Sequence, residues 1–256
     1  MKIDLWKGDC LELMKDIPDK SVDMVLTDPP YGTTACKWDN VIPFEPMWEQ
    51  LHRVTKDNGA ICLFGSEPFS SALRMSNIKR FKYDWVWKKN RGSNFGSVKY
   101  QPMKEHELIS VFSTRSHKYY PIKQLRSEGG RSRVQYDINP SNTGKRDYLG
   151  GFENKVTRKK TELNDMRVPS SVQFFNTEVG HHPTQKPVAL LEYLIKTYTL
   201  EGETVLDFTM GSGSTGVACV NLDRNFIGIE QDEDYSQIAE NRIEFARETG
   251  KTLGPL

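Results

Sequence analysis

The sequence predicts an α/β domain, doubly wound about a largely parallel sheet and circularly permuted, with a region of different composition inserted in it. Three observations carry this reading. First, Val22-Asp23-Met24-Val25-Leu26-Thr27 is a dense apolar run stopped by Pro29-Pro30, as expected of a buried parallel strand ending in a rigid turn. Proline cannot extend a ladder, so Asp28 and Tyr31 are held at the carboxyl end of that strand, the edge where open α/β sheets bind ligands. Second, Gly211-Ser212-Gly213-Ser214-Thr215-Gly216 fits G-x-G-x-x-G between a strand and a helix, and Glu230 follows 19 residues after Gly211. Only one further strand and helix follow this turn, so the N-terminal part must complete the sheet. Third, residues 113–175 hold 13 Lys/Arg against 6 Asp/Glu, or +7, whereas the remainder holds 22 against 28, or −6. The net charge of +1 conceals this asymmetry.

Taken in order, residues 2–6 read as a short strand, and Gly8-Asp9-Cys10 turns into a short helix at 11–15. The central strand covers 22–27. Residues 33–46 are irregular, with Trp38 and two prolines, and suit a lid loop. A helix is expected over 48–55, with Trp48, Leu51 and Val54 on one stripe and Asn58-Gly59 as its stop. Strands follow at 60–65, 83–88 and 107–112, with a helix at 69–75 between the first two. Residues 113–175 interleave cations with Tyr119, Tyr120, Tyr136, Tyr148 and Phe152, and their periodicity is too weak to assign elements. Regular structure resumes with a helix over 188–198, a strand at 203–207, a helix at 215–222, a strand at 225–230 and a last helix over 232–248. The domain organisation is therefore 1–112 and 176–256 as two parts of one α/β domain, with 113–175 inserted between them.

A chain of 256 residues can bury a full core. It has no apolar run of the ~18 residues that would suggest a membrane span, and its start has no signal-peptide layout. Cys10, Cys36, Cys62 and Cys219 form no CxxC or Cys/His cluster, so neither a metal nor a disulfide framework is expected and a reducing cytoplasm fits best. The glycine turn with Glu230 suggests an adenosine-containing cofactor, the acid accepting hydrogen bonds from ribose hydroxyls. A dinucleotide would set its pyrophosphate on the helix N-terminus, whereas S-adenosylmethionine has no phosphate and would use the turn for close backbone approach.

The order Asp28-Pro29-Pro30-Tyr31, basic segment, His182-Pro183-Thr184-Gln185-Lys186-Pro187, then Asp207 to Thr215 resembles the β-group amino-methyltransferases of DNA. The resemblance covers the chain apart from the details of the basic segment. It implies a circularly permuted Rossmann-like S-adenosylmethionine-dependent methyltransferase domain with an inserted target-recognition region. It also implies that Asp9 and Cys10 lie in the turn beside the cofactor adenine. Asp28 would approach the methionine ammonium, while His182, Thr184, Gln185 and Lys186 would hold the methionine end. Asp207, Phe208, Thr209, Gly211, Ser212, Gly213, Ser214, Thr215 and Glu230 would complete the cofactor site. One departure stands out: the family's Asp-Pro-Phe-x-Gly-x-Gly is here Asp207-Phe208-Thr209-Met210-Gly211, which shifts the aromatic.

These residue types suit methyl transfer to an exocyclic amine. Asp28 with the Pro29 or Pro30 carbonyl would accept its N–H bonds and aim the lone pair, and Tyr31 would stack on a base flipped out of double-stranded DNA. Asp28, where some members have serine, implies adenine N6 as the target, with cytosine N4 as the alternative. A dinucleotide-dependent oxidoreductase using residues 211–216 is the competing reading from another class. The resemblance further implies a bacterial or viral enzyme acting on DNA in the cytoplasm, with a homodimer as one arrangement. The basic segment is the expected DNA reader, through phosphate contacts by its cations.

Overall fold

The computed structural model describes residues 1–33, 39–126, 166–178, 180 and 185–250. The chain divides into two compact units, one of residues 1–120 with 170–256 and one of residues 121–169. In the smaller unit the described residues form one antiparallel ladder, β6 (Gln124–Leu125) with β7 (Met166–Arg167). The rest of the basic segment's centre, including Arg131, Tyr136, Tyr148, Phe152 and Lys159, lies outside the described residues.

The larger unit is built on an eight-stranded sheet. Its strands are β1 (Ile3–Lys7), β2 (Val22–Thr27), β3 (Thr55–Gly65), β4 (Phe81–Ser93), β5 (Lys104–Phe112), β8 (Val172–Phe174), β9 (Thr204–Asp207) and β10 (Asn225–Glu230). Their spatial order is β1-β10-β9-β2-β3-β5-β4-β8, and among them only β5 runs against the others. All six residues of β2 are buried, as its unbroken apolar run and its place between β9 and β3 require.

Helices cover both faces. On one lie α1 (Cys10–Leu13), α2 (Phe44–Val54) and α3 (Phe69–Ser76), where Met47, Trp48, Leu51 and Val54 pack with Val25, Ile61 and Leu206. On the other lie α4 (Val188–Tyr198), α5 (Ser214–Asn221) and α6 (Glu233–Thr249), where Leu191, Leu194 and Ile195 meet Met24, Leu26 and Cys62. Helix α5 is almost wholly buried and built of small residues. A Cβ at Gly216 would stand 2.3 Å from Ile243 Cδ1, so that position must be bare for α6 to close on it.

Several sequence expectations need correction. Helix α2 starts at Phe44, because Pro46 falls in its first turn, where no N–H is missed. It ends at Val54, and Asn58-Gly59 does not stop it. Those residues bulge inside β3, since Val22 pairs with Thr55 and Met24 with Ala60. Strand β4 continues past residue 88 to Ser93, and β5 begins at Lys104. Of the supposed lid loop, residues 34–38 lie outside the described residues and 44–46 are helical. Residues 113–120 pack on the larger unit, with Tyr120 N donating to Thr197 O at 2.8 Å and Lys118 Nζ to the buried Asp23 at 3.0 Å.

Candidate active site

Strands β2 and β9 are neighbours, yet the chain leaves β2 toward β3 on one side and β9 toward β10 on the other. That divergence opens a crevice at their carboxyl ends. Asp28 and Asp207 stand at its two lips. Threonines tie the lips together. Thr27 Oγ1 donates to the Asp207 carboxylate, and Thr209 Oγ1 lies 2.8 Å from Thr27 Oγ1. The hydroxyl of Thr209 also donates to the Asp28 carbonyl at 3.1 Å. Burial pushes the Asp207 carboxyl up to about 6, against hydrogen bonds from Thr215 (2.6 Å), Thr27 and the Thr209 amide (3.2 Å).

The Asp28 carboxylate accepts the Tyr31 hydroxyl on one oxygen and the Lys186 ammonium on the other. Burial raises its pKa, Lys186 pulls the other way, and the nearby Glu107 adds to the rise. Burial and the Asp28 charge hold the Tyr31 phenol protonated far above the usual range, so it stays a donor. Its ring stacks on Phe69 at 5.0 Å. The loop carrying Tyr31 is fixed by Asp39, whose carboxylate accepts the amides of Tyr31 (2.7 Å), Gly32 (2.8 Å) and Thr33 (2.8 Å).

Lys186 comes just before α4, at a helix start where a cation is poorly placed by the dipole. Two carboxylates compensate. Burial draws the ammonium down, but Asp28 and Glu107 outweigh it and hold it above the usual lysine value. Glu107 reaches in from β5 with Lys89 on one oxygen, and its buried Oε2 faces Lys186 Nζ at 3.6 Å. Burial would raise the Glu107 carboxyl, but the two lysines keep it below its ordinary value. Gln185 Nε2 donates to Glu178 at 3.4 Å, while His182 and Thr184 lie outside the described residues.

At the far end of the crevice Gly211 and Gly213 take left-handed backbone angles, φ 52° and 78°. A Cβ at Gly213 would also approach Ala239 Cβ to 2.8 Å, so the position excludes side chains twice over. Glu230 accepts the Gly211 amide at 2.8 Å and the Asp232 amide at 2.8 Å, one per oxygen, which leaves lone pairs for further donors. Asp9 caps α1 through Leu11 N at 2.8 Å, and burial pushes the adjacent Cys10 thiol up to about 12. The hydroxyls of Ser212 and Ser214 accept the buried Arg242 guanidinium at 2.9 and 3.2 Å. Phe208 is buried in the core on the α2 side of the sheet and also touches the crevice, so the shifted aromatic still lies beside it.

Of the site residues expected from the sequence, all the described ones except Gly213 line one cavity of about 640 Å³, together with Asp39, Val41 and Glu107. Its charge is one-sided. Among the described residues seven acids (Asp9, Asp28, Asp39, Glu107, Asp207, Glu230 and Asp232) face one cation, Lys186. Such a lining repels a pyrophosphate and suits a ligand carrying positive charge.

A family model described as DNA methylase, N6/N4 type, matches residues 22–241. The chain belongs to that family. This methylase is similar to the Type II methyltransferase M2.MboI of Moraxella bovis, 27% identical over 93% of this chain and 86% of that protein. It is similar also to the Type II methyltransferase M2.DpnII of Streptococcus pneumoniae, 27% identical over 97% and 92%. Among solved structures, the M1.HpyAVI–SAM complex aligns with TM-score 0.60 and 25% identity, covering 94% of the methylase and 99% of that chain. The methyl donor, S-adenosylmethionine, fits the cavity. Its sulfonium carries positive charge, which a lining dominated by carboxylates suits. The dinucleotide alternative loses its electrostatic basis. The sequence reading missed Asp39, Glu107 and Arg242, none of which sits in a recognisable motif. The one local signal was an acid, Glu107, directly before the apolar stretch of β5 from Leu108 to Phe112, which only Ser110 interrupts.

Proposed function

We propose that this methylase transfers a methyl group to the N6 amine of adenine in double-stranded DNA, acting on a base flipped out of the helix. The observation that carries the proposal is the placement of the Asp28 carboxylate and the Tyr31 ring at one wall of the acidic crevice. Asp28 still has acceptor capacity on both oxygens after its bonds to Tyr31 and Lys186. It can therefore accept an N–H of the incoming amine and favour the positive charge that grows on nitrogen. Pro29 and Pro30, whose carbonyls offer a second acceptor, line the same cavity. Bound S-adenosylmethionine supplies an electrophilic methyl carbon. The amine would gain that carbon as its bond to sulfur breaks, the electron pair staying on sulfur and S-adenosylhomocysteine leaving. The amine's surplus proton would pass through Asp28 toward solvent, and no covalent enzyme intermediate is required. The cofactor's methionine end falls to Lys186 and Gln185, and its adenosine end to Glu230, Asp9, Cys10 and the glycine turn. Asp28 in the first motif position supports adenine over cytosine, and the enzyme works where DNA is reached in the cytoplasm.

The test is mass spectrometry of nucleosides from unmethylated bacterial DNA incubated with the protein and labelled S-adenosylmethionine, with Asp28→Ala alongside. Labelled N6-methyl-2′-deoxyadenosine, absent with the variant, is expected. Labelled N4-methylcytosine would overturn the base assignment, and no label in any base would overturn the function.

A further inference from the structure

Strands β4 and β5 outrun the sheet. β3 ends at Gly65, opposite Leu108 of β5, which in turn faces Val86 of β4. From there β4 continues seven residues to Ser93 while β5 supplies four, back to Lys104. The register slips between Lys88 and Ser93, and the paired length on β5 is about 13 Å. On the other side of β4, β8 accompanies it only as far as Lys88. Because β2, β3 and β4 run the same way, this two-stranded arm leaves from the edge that carries Asp28 and Tyr31. Glu107 at the base of the arm contacts Lys186, so arm and crevice share a wall.

The tip is a built loop. Asn94 takes a left-handed backbone (φ 68°), accepts the Lys104 amide at 2.8 Å and donates to the Pro102 carbonyl at 3.3 Å. Thr177 braces the stem, its amide donating to Asn90 Oδ1 at 2.9 Å. This ordered loop nevertheless holds large apolar side chains in water, with Phe95 65% and Tyr100 84% exposed. Around them residues 88–106 carry Lys88, Lys89, Arg91, Lys99 and Lys104 against one acid, Glu105. Lys89 and Lys104 are engaged by Glu107 and Ser66, whereas Lys88, Arg91 and Lys99 are exposed. Exposed aromatic faces set among cations match a polyanion with stackable rings. A protein partner would favour a core depleted of lysine.

We propose that this arm is a DNA-contacting element outside the basic segment, seating the duplex beside the target base. Lys88, Arg91 and Lys99 contact phosphates, and Phe95 and Tyr100 pack on bases next to the flipped position. The proposal rests on the DNA methylase reading and extends it to residues that no motif marks.

The experiment compares wild type, Lys88→Gln/Arg91→Gln/Lys99→Gln and Phe95→Ala/Tyr100→Ala. Each is titrated with a fluorescent duplex carrying a site the wild type methylates, over a range of salt. S-adenosylmethionine binding and sedimentation of the protein alone are measured alongside. The charge variant is expected to flatten the salt dependence by about 0.9 logarithmic units for each phosphate that a removed cation had neutralised. The aromatic variant is expected to weaken duplex binding about tenfold or more, with cofactor binding unchanged. Wild-type affinity and salt slope in both variants would overturn the proposal. So would a shift in sedimentation with DNA binding intact, which would make the arm a contact between two copies. A wild-type protein that methylates no DNA would overturn the underlying reading before any variant is compared.

Discussion

The Thr209 hydroxyl donates to the Asp28 carbonyl at 3.1 Å, joining residues 181 positions apart in the chain. Thr209 stands within the stretch where the family's glycine motif is shifted, and it couples the two halves of the crevice. Thr209→Val removes that donor and its contact with Thr27. The expected loss is about 1–2 kcal/mol of stability, with a fall in kcat greater than the change in cofactor affinity. Chemical denaturation and steady-state kinetics read both, and an unchanged kcat would show that the tie does not position Asp28.

Glu107 helps to hold the Lys186 ammonium charged. Glu107→Gln removes one of its two carboxylate neighbours, so the Lys186 pKa falls and the ammonium deprotonates at lower pH. Cofactor binding should then weaken on the alkaline side, its limb displaced toward neutral pH. Calorimetric titration with S-adenosylmethionine from neutral to strongly alkaline pH would show this, and a limb that stays in place would contradict it.

Asp207 binds its proton more tightly in the folded protein, with a pKa of about 6 against an ordinary 3.8. A raised carboxyl pKa contributes stability below the unfolded value and loses it as pH rises through the folded value. The stability of wild type relative to Asp207→Asn should therefore fall by about 3 kcal/mol between a pH just below the unfolded value and neutrality. Paired denaturation curves at those two pH values measure the difference, and a constant gap would refute it.

Asp39 holds three consecutive amides after the Pro-Pro turn. Asp39→Ala leaves those donors without their carboxylate and should cost about 2–3 kcal/mol. Activity should drop through a misplaced Tyr31, while Asp39→Asn, which keeps one acceptor oxygen, should recover part of it. Equal defects in the two variants would argue against this role.

The strands and helices beside the crevice were legible because each is marked by a local rule. The apolar run of β2 ends in two prolines, and the turn at Gly211 needs left-handed angles that glycine supplies. Lys186 was legible as a cation misplaced at a helix start. Glu107 was not, because its role arises from contact with Lys186 in a distant segment. Asp39 was not, because it sits in an irregular loop whose fold onto the amides of residues 31–33 follows no motif spacing. The β4–β5 arm escaped for a related reason. Its apolar alternation stops where burial stops, but the ladder is held by backbone pairing and runs on with polar residues. The bulge in β3 misled in the opposite sense, since Asn58-Gly59 carries a turn signal whether it ends a helix or kinks a strand.

The neighbours at the centre of the sheet, β2 and β9, are separated by most of the chain. During synthesis β2 emerges early, and one of its edges stays unpaired until β9, which begins at Thr204, has left the ribosome. Until then the apolar strand that delivers Asp28 is a bare template for other strands, a hazard that chaperone capture would relieve. The same delay leaves the crevice without its Asp207 lip, so a nascent chain whose β9 has not emerged holds only one side of the site.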